Sequence, residues 1–250
     1  DYQGPAYVDL YRERLKPFLP LDTKLAQETA RNLALWMSFE DIIRVADLKT
    51  RPARFERVRS ESRAKEGEPL VIVDYLKPGV EEFASLLPPS LGHRLMAWAE
   101  KNGKMNAYNV GMHIRTTSVV GFLLVRSLAW LKPWRPHSFR YALEQQHIQA
   151  WLARVREAAA RDTALALEIV DCARLVKGYS DTHRRGLANF LTLMDALVDN
   201  PPTSNPREQA IAIAKAREAA LADPEGKALS GTLGMPTTNG KPVFWLAKSP

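Results

Sequence analysis

Apolar residues recur at helical spacing along most of the chain, which predicts a mainly α-helical fold. Near the start, Leu25, Leu33 and Met37 follow the period of an α-helix, behind a possible cap at Asp22 or Thr23. A capping pair at Ser38 and Asp41 predicts the next helix, and Pro52 predicts the start of another. Apolar spacing predicts further helices over residues 78–87, 90–101, 118–132, 138–160, 162–177, 182–198 and 206–222.

Two short stretches depart from the helical pattern. Residues 70–75 contain Val71, Ile72 and Val73 in succession, which is typical of a strand, and a second strand is possible within residues 105–115. The predicted fold is therefore mainly α, a helical domain with a minor β element of about two strands. We expect one domain over residues 1–250, with subregions that are helical (1–66), α/β (67–136), helical (137–222) and an extended tail (223–250).

Composition and charge narrow the class of protein. The 250 residues are 46% hydrophobic and 25% charged, as in ordinary globular proteins. The net charge of +7 is spread along the chain without a strongly basic region, so we expect no nucleic acid as a partner. The most apolar run, residues 119–131, is shorter than the roughly 20 residues of a membrane span. It predicts a buried core helix, and we expect no membrane association.

The motifs of self-sufficient redox enzymes are absent from the sequence. Cys172 is the only cysteine, so the chain cannot supply the roughly four thiolates of an iron–sulfur cluster, and we expect this thiol to be buried among apolar residues. The sequence contains no Gly-Gly pair, no Gly-Asp-Gly and no phosphate-binding glycine loop. We therefore predict no catalytic residue, no metal site and no cofactor within this chain.

The segment 175–186 carries the strongest candidate for a binding site. It joins two predicted helices, with Gly178 placed for a left-handed turn and Asp181 or Ser180 placed to cap the second helix. His183, Arg184 and Arg185 follow in the first turn of that helix, where positive charge is unfavourable because it opposes the helix dipole. Positive side chains at such an unfavourable position can indicate a site that binds an anion. The candidate ligand-binding residues are Lys177, Tyr179, Asp181, His183, Arg184 and Arg185.

A purely structural role competes with that hypothesis. Arg184 and Arg185 could instead pair with Glu168, Asp171 or Asp195 and hold two helices together, and the two carboxylates at 168 and 171 suit ion pairs better than acid–base chemistry. Two other helix starts combine positive side chains with hydroxyl residues that can cap a helix. Each could likewise be an anion-binding site or a purely structural helix start. Their candidate residues are Lys49 and Arg51 before the Pro52 helix, and Arg115 and Thr116 before the Val119 helix.

Residues 164–186 resemble the C-terminal region of indolepyruvate ferredoxin oxidoreductases, chiefly through Lys177-Gly-Tyr-Ser-Asp-Thr182. Residues 34–50, 76–82 and 114–118 support the resemblance, which covers roughly residues 30–190. At Ser180 the members of that family carry glycine. The resemblance identifies the chain as the C-terminal domain of the beta-type subunit of a 2-oxoacid ferredoxin oxidoreductase.

That family decarboxylates arylpyruvates oxidatively with thiamine diphosphate, iron–sulfur clusters and coenzyme A. The resemblance implies that these cofactors bind elsewhere and that the partners are a thiamine- and iron–sulfur-bearing alpha-type subunit and ferredoxin. The low cysteine content predicts a cytoplasmic protein. The expected role is accessory, in assembly. The alternative is a module that binds the phosphates of coenzyme A or the substrate carboxylate. Since the chain begins at Asp1 without a signal peptide, we expect a cytoplasmic fragment of a longer polypeptide.

Overall fold

The computed structural model describes residues 1–65, 67–105 and 111–235. Over these residues the fold is mainly α-helical with one two-stranded antiparallel sheet, which confirms the predicted fold class. The strands are β1 (Val73–Leu76) and β2 (Met112–Arg115). The α-helices are α1 (Pro5–Leu15), α2 (Thr23–Met37), α3 (Ile42–Lys49), α4 (Pro52–Glu61), α5 (Val80–Leu86), α6 (Pro89–Lys101), α7 (Val119–Ala129), α8 (Phe139–Ala159), α9 (Thr163–Asp171), α10 (Ser180–Met194), α11 (Pro206–Ala222) and α12 (Lys227–Thr232).

Short polar side chains determine where several helices begin. The Asp22 carboxylate accepts a hydrogen bond from the Leu25 N–H at 3.0 Å, which confirms the predicted start of α2. Asp41, and not Ser38, caps α3 by accepting from the Arg44 N–H at 2.6 Å. Proline occupies the first turn of α4 and α11, where its missing N–H costs no helical hydrogen bond.

The second strand lies within its predicted stretch, and the first overlaps the predicted residues 70–75 but extends to Leu76. Val73 is paired with Arg115 and Tyr75 with His113, so these four side chains share one face of the sheet. Asp74 and Ile114 pair on the opposite face, which is buried. The first strand is shorter than predicted, and residues 106–110 of the second predicted stretch lie outside the described residues.

The chain divides into two compact units, which are described separately. Unit 1 comprises residues 1–3 and 40–145, and unit 2 comprises residues 4–39 and 146–250. The boundary between Gln145 and Gln146 falls within α8. The single domain expected over residues 1–250 stays a prediction.

The core of unit 2 is built around aromatic side chains from helices far apart in sequence. The Trp36 ring lies 5.5 Å from that of Trp151 and 5.1 Å from that of Phe190. The buried Trp151 indole N–H donates to the Ile169 carbonyl at 3.0 Å, so its one polar group is satisfied. Cys172 is fully buried in the same cluster, as predicted for an apolar role.

The core of unit 1 is smaller and corrects the prediction for the most apolar run. Helix α7 packs against α3 through small residues, with Gly121, Val125 and Ala129 buried. The opposite side is open to solvent, although the run was predicted to be buried. The apolar sequence allows either side of α7 to be buried, but within unit 1 the neighbouring elements cover one side. The exposed α7 face consists of Val119 (77% exposed), Val120 (79%), Leu123 (49%) and Leu124 (54%).

Two helices lie where no individual helix was predicted. Helix α1 falls within residues 1–66, which were predicted to be helical, but its apolar residues Val8, Leu10 and Leu15 do not form a clear stripe, so its bounds were not predicted. Helix α12 lies within the expected extended tail, where the Asp223 carboxylate accepts from the Glu225 and Ala228 N–H groups and Gly226 adopts a left-handed φ of +80°. Residues 236–250 of that tail lie outside the described residues. No helix that the structure describes is long and apolar enough to cross a bilayer.

Candidate functional site

The segment 175–186 connects α9 to α10 in unit 2 through a tight turn. A 3₁₀ turn over Cys172–Leu175 follows α9, and Gly178 then takes the predicted left-handed conformation with φ +77°. Ser180 is also left-handed, with φ +51°, although it carries a side chain. Tyr179 stands at the N-cap position of α10 without a side-chain cap, so the predicted cap by Asp181 or Ser180 is wrong. Ser180 instead opens the helix, and Asp181 is bound by Arg184.

The cations of this connection have carboxylate partners close at hand. Arg184 pairs with Asp181, and the Arg185 guanidinium lies 2.8 Å from the Glu225 carboxylate. His183 is buried, whereas Lys177, Tyr179 and Asp181 are exposed. The structure thus keeps all six candidates on one short segment, but it commits both arginines to ion pairs within the chain.

Those ion pairs differ from the ones that the sequence suggested. Glu168 is bound by the buried Arg217 of α11, and Asp171 lies 3.8 Å from Arg174. The predicted bonds from Arg184 and Arg185 to Glu168, Asp171 or Asp195 are therefore wrong. Arg217 and Glu225 follow the segment by more than 30 residues, and helical spacing alone does not indicate contacts at that separation.

Asp74 brings together two of the other candidate residues in unit 1. Its side chain is only 4% exposed and is bound by Lys49, by the Arg54 guanidinium at 2.8 Å and by the Thr116 hydroxyl, which donates at 2.8 Å. Burial raises the pKa of the Asp74 carboxyl, but the hydrogen bonds from Lys49 and Thr116 and the charges of Lys49 and Arg54 outweigh it and leave the pKa lowered. Sequence reasoning missed Asp74, although a carboxylate within an apolar strand requires buried partners.

Arg51 and Arg115 do not join the Asp74 cluster. Arg51 binds Asp47 at 2.5 Å and Asp1 at 2.9 Å. Burial raises the pKa of Asp47, but the hydrogen bond from Arg51 and the nearby positive charges of Arg51, Arg44 and Arg126 leave that pKa lowered. Arg115 lies on the exposed face of the sheet, opposite Val73.

A groove that the sequence did not suggest runs between α4 and α7 in unit 1. Its volume is about 600 Å³, and apolar side chains form most of its surface. The rings of Phe55 and Phe122 lie 6.2 Å apart within it. We call it the α4–α7 groove, and its lining residues are Phe55, Glu56, Arg59, Leu70, Thr116, Thr117, Ser118, Val119, Phe122 and Leu123.

The chemistry of these residues suits binding and packing. Across the described part of the chain, no three His, Cys, Asp or Glu side chains lie together in a way that could hold a metal ion. Burial raises the pKa of the Cys172 thiol to about 12, so the thiolate required for nucleophilic chemistry is suppressed at neutral pH. Lys49 and Arg54 neutralise the buried Asp74 carboxylate. In the 175–186 segment, Arg184 and Arg185 neutralise the Asp181 and Glu225 carboxylates.

Comparison with known proteins adds a family and no further relative. The family model described as "Family of unknown function (DUF6537)" matches residues 1–196, which is more than half of the chain and includes all six candidates of the 175–186 segment. No curated protein and no solved structure matches the chain.

Proposed function

The chain belongs to the DUF6537 family of unknown function, and we propose that it is an accessory and assembly domain of an oxidoreductase of the indolepyruvate ferredoxin type. In this proposal the oxidative decarboxylation of a 2-oxo acid takes place on thiamine diphosphate and iron–sulfur clusters bound elsewhere, with coenzyme A as acyl acceptor. The partners are the alpha-type subunit that carries those cofactors, and ferredoxin. The site of action is the cytoplasm.

The exposed α7 face carries this proposal. Single exposed apolar side chains are ordinary, but four on one side of one short helix form a continuous patch of the kind that marks a contact surface. The resemblance of residues 30–190 to the C-terminal region of these oxidoreductases supplies the identity of the assembly. The single buried cysteine supports a role in which the cluster chemistry belongs to another part of the enzyme.

The alternative function is a module that binds coenzyme A phosphates or the substrate carboxylate. One observation favours it: α10 begins without a side-chain cap, and Lys177, two residues before the Tyr179 N-cap, has no ion pair within the described residues. An anion could bind the free N–H groups of that first turn. The arginines disfavour it, because Arg184 and Arg185 already bind carboxylates.

Purification of the native assembly tests the proposal. An affinity tag on the full-length protein should retain material that contains bound thiamine diphosphate and absorbs in the visible region as iron–sulfur clusters do. That material should reduce ferredoxin when an arylpyruvate and coenzyme A are added. Native material that lacks both cofactors and shows no arylpyruvate-dependent electron transfer would contradict the proposed function.

A further inference from the structure

We propose that the α4–α7 groove receives an amphipathic helix that carries a carboxylate near the part of the groove that residues 116–118 line. This inference rests on the proposed function in one respect, since we assign the helix to the cofactor-bearing part of the oxidoreductase. It goes further by naming the docking site within unit 1 and the chemistry of the segment that occupies it.

The shape and lining of the groove suit a helix. Phe55 and Phe122 lie side by side within it, and Val119 and Leu123 belong both to the groove and to the exposed α7 face. The apolar surface is therefore continuous from the groove onto α7. Grooves of this kind bind helices whose apolar side chains recur every three or four residues and enter the groove from one side.

The electrostatics of the groove specify a carboxylate. Residues 116–118 line the groove at the point where α7 begins, so the positive end of the α7 dipole lies there. Ser118 accepts from the Gly121 N–H, while the N–H groups of Val119 and Val120 have no acceptor within the helix. A carboxylate on the bound helix would satisfy both donors.

Arg59 strengthens this preference for a negative charge. Arg59 lines the groove, and its guanidinium donates to the carbonyls of Lys65 and Glu68 at 3.1 and 3.2 Å but pairs with no carboxylate in the described part of the chain. Among the described residues, Glu56 is the one acidic residue that lines the groove, and α7 itself contains no Asp or Glu. An acidic segment therefore fits the groove better than a basic one.

A bilayer or a second copy of the chain could cover the exposed α7 face in other ways. A bilayer surface would contact Val119, Val120 and Leu124 but could not fill a concave groove. A second copy would bring α7 against α7, where neither helix offers a carboxylate to the positive end of the other. The concave shape and the unmatched positive charge therefore favour an acidic helix from another part of the enzyme.

Substitution of Val119 by Asp or by Arg, combined with crosslinking at Leu123, tests the inference in the full-length assembly. A photo-crosslinking residue placed at Leu123 should capture a peptide of the cofactor-bearing part that has helical periodicity and an Asp or Glu. In Val119→Asp the yield of this crosslinked product should fall about tenfold, because the new carboxylate would repel the carboxylate of the bound helix. In Val119→Arg the same yield should fall less than about twofold. Since Asp is favoured and Arg disfavoured in a first helical turn, loss of folding predicts the opposite order.

Ile211 on α11, which is 71% exposed, provides the control position for the crosslinker. Equal yields from positions 123 and 211, equal losses in the two Val119 variants, or capture of only lipid or residues 111–131 of a second copy would overturn the inference. The proposed function would stand if that assembly still contained thiamine diphosphate and iron–sulfur clusters. An assembly without those cofactors would overturn the proposed function itself, whichever peptide was captured.

Discussion

At the scale of single residues, Asp74 shows how a buried charge is maintained. The strand places its carboxylate on the buried face of the sheet, where it would be strongly destabilising alone. Lys49, Arg54 and Thr116 come from three other segments and each directs a donor at it. The carboxylate therefore stays ionised, and it ties α3, α4 and the end of β2 to β1.

Replacement of Asp74 should destabilise unit 1 in a pH-dependent way. Asp74→Asn leaves Lys49 and Arg54 without their carboxylate and should cost about 3 kcal/mol at pH 7. Because the folded pKa of the Asp74 carboxyl is lowered below its ordinary value, the wild-type carboxylate stabilises the fold above that ordinary pKa and loses its contribution as the pH falls through the folded pKa. The difference in unfolding free energy between wild type and variant should therefore shrink below about pH 4.

Urea unfolding followed by circular dichroism at pH 7, 5 and 3 measures this effect. Asp9→Asn is the control, because within the described residues Asp9 forms one exposed ion pair, with Arg12, and its substitution should change stability by less than about 0.5 kcal/mol at each pH. A constant difference between wild type and Asp74→Asn from pH 7 to pH 3 would show that the charge of Asp74 is not what stabilises the cluster.

Sequence reasoning identified several of these residues but few of their partners. Lys49 and Thr116 were selected separately, since each lies beside a predicted helix start, and only the pairing of β1 with β2 brings them to the same carboxylate. Likewise Arg185 was selected for its position in a first helical turn, but its partner Glu225 is 40 residues away. Local sequence patterns indicate which charged residues occupy unusual positions in a helix, whereas the ion-pair partners of those residues depend on tertiary contacts.

At the scale of elements, α7 shows the limit of hydrophobicity as a guide to burial. The apolar run correctly predicted a helix, and the Ser118 cap explains its start. Its two sides look alike in sequence, because valine and leucine occur on both. Which side is covered depends on α3, which packs against the small residues Gly121 and Ala129.

Adjacent residues of α7 should therefore respond differently to truncation. Val125 is fully buried and Leu124 is exposed, so Val125→Ala should cost about 2 kcal/mol whereas Leu124→Ala should cost less than about 0.5 kcal/mol. Thermal or urea unfolding of the purified chain provides the measurement. If α7 were buried on both sides, the larger truncation, at Leu124, would be at least as damaging as the one at Val125.

At the scale of the whole molecule, helical periodicity predicted the fold class but not how the chain is divided. Unit 2 combines α1 and α2 with the part of α8 from Gln146 and the helices that follow it, and its core joins Trp36 to Trp151 and Phe190. Unit 1 consists almost entirely of the intervening residues 40–145. No composition change marks the boundary within α8, because a continuous helix needs no linker.

The candidate residues of the 175–186 segment lie in unit 2, and the proposed assembly with the cofactor-bearing subunit is where their role can be tested. Because Arg184 and Arg185 are held by Asp181 and Glu225, the double variant Arg184→Ala with Arg185→Ala should weaken subunit association or solubility and change the KM for coenzyme A by less than about twofold. The double variant Arg12→Ala with Arg31→Ala, which removes two exposed ion-pair arginines from α1 and α2, should change neither property. Steady-state kinetics and analytical ultracentrifugation of the assembled enzyme measure the two effects. A large rise in that KM with intact assembly would instead favour a place for this connection in the coenzyme A site, because the loss of a ligand contact weakens binding without disturbing the assembly.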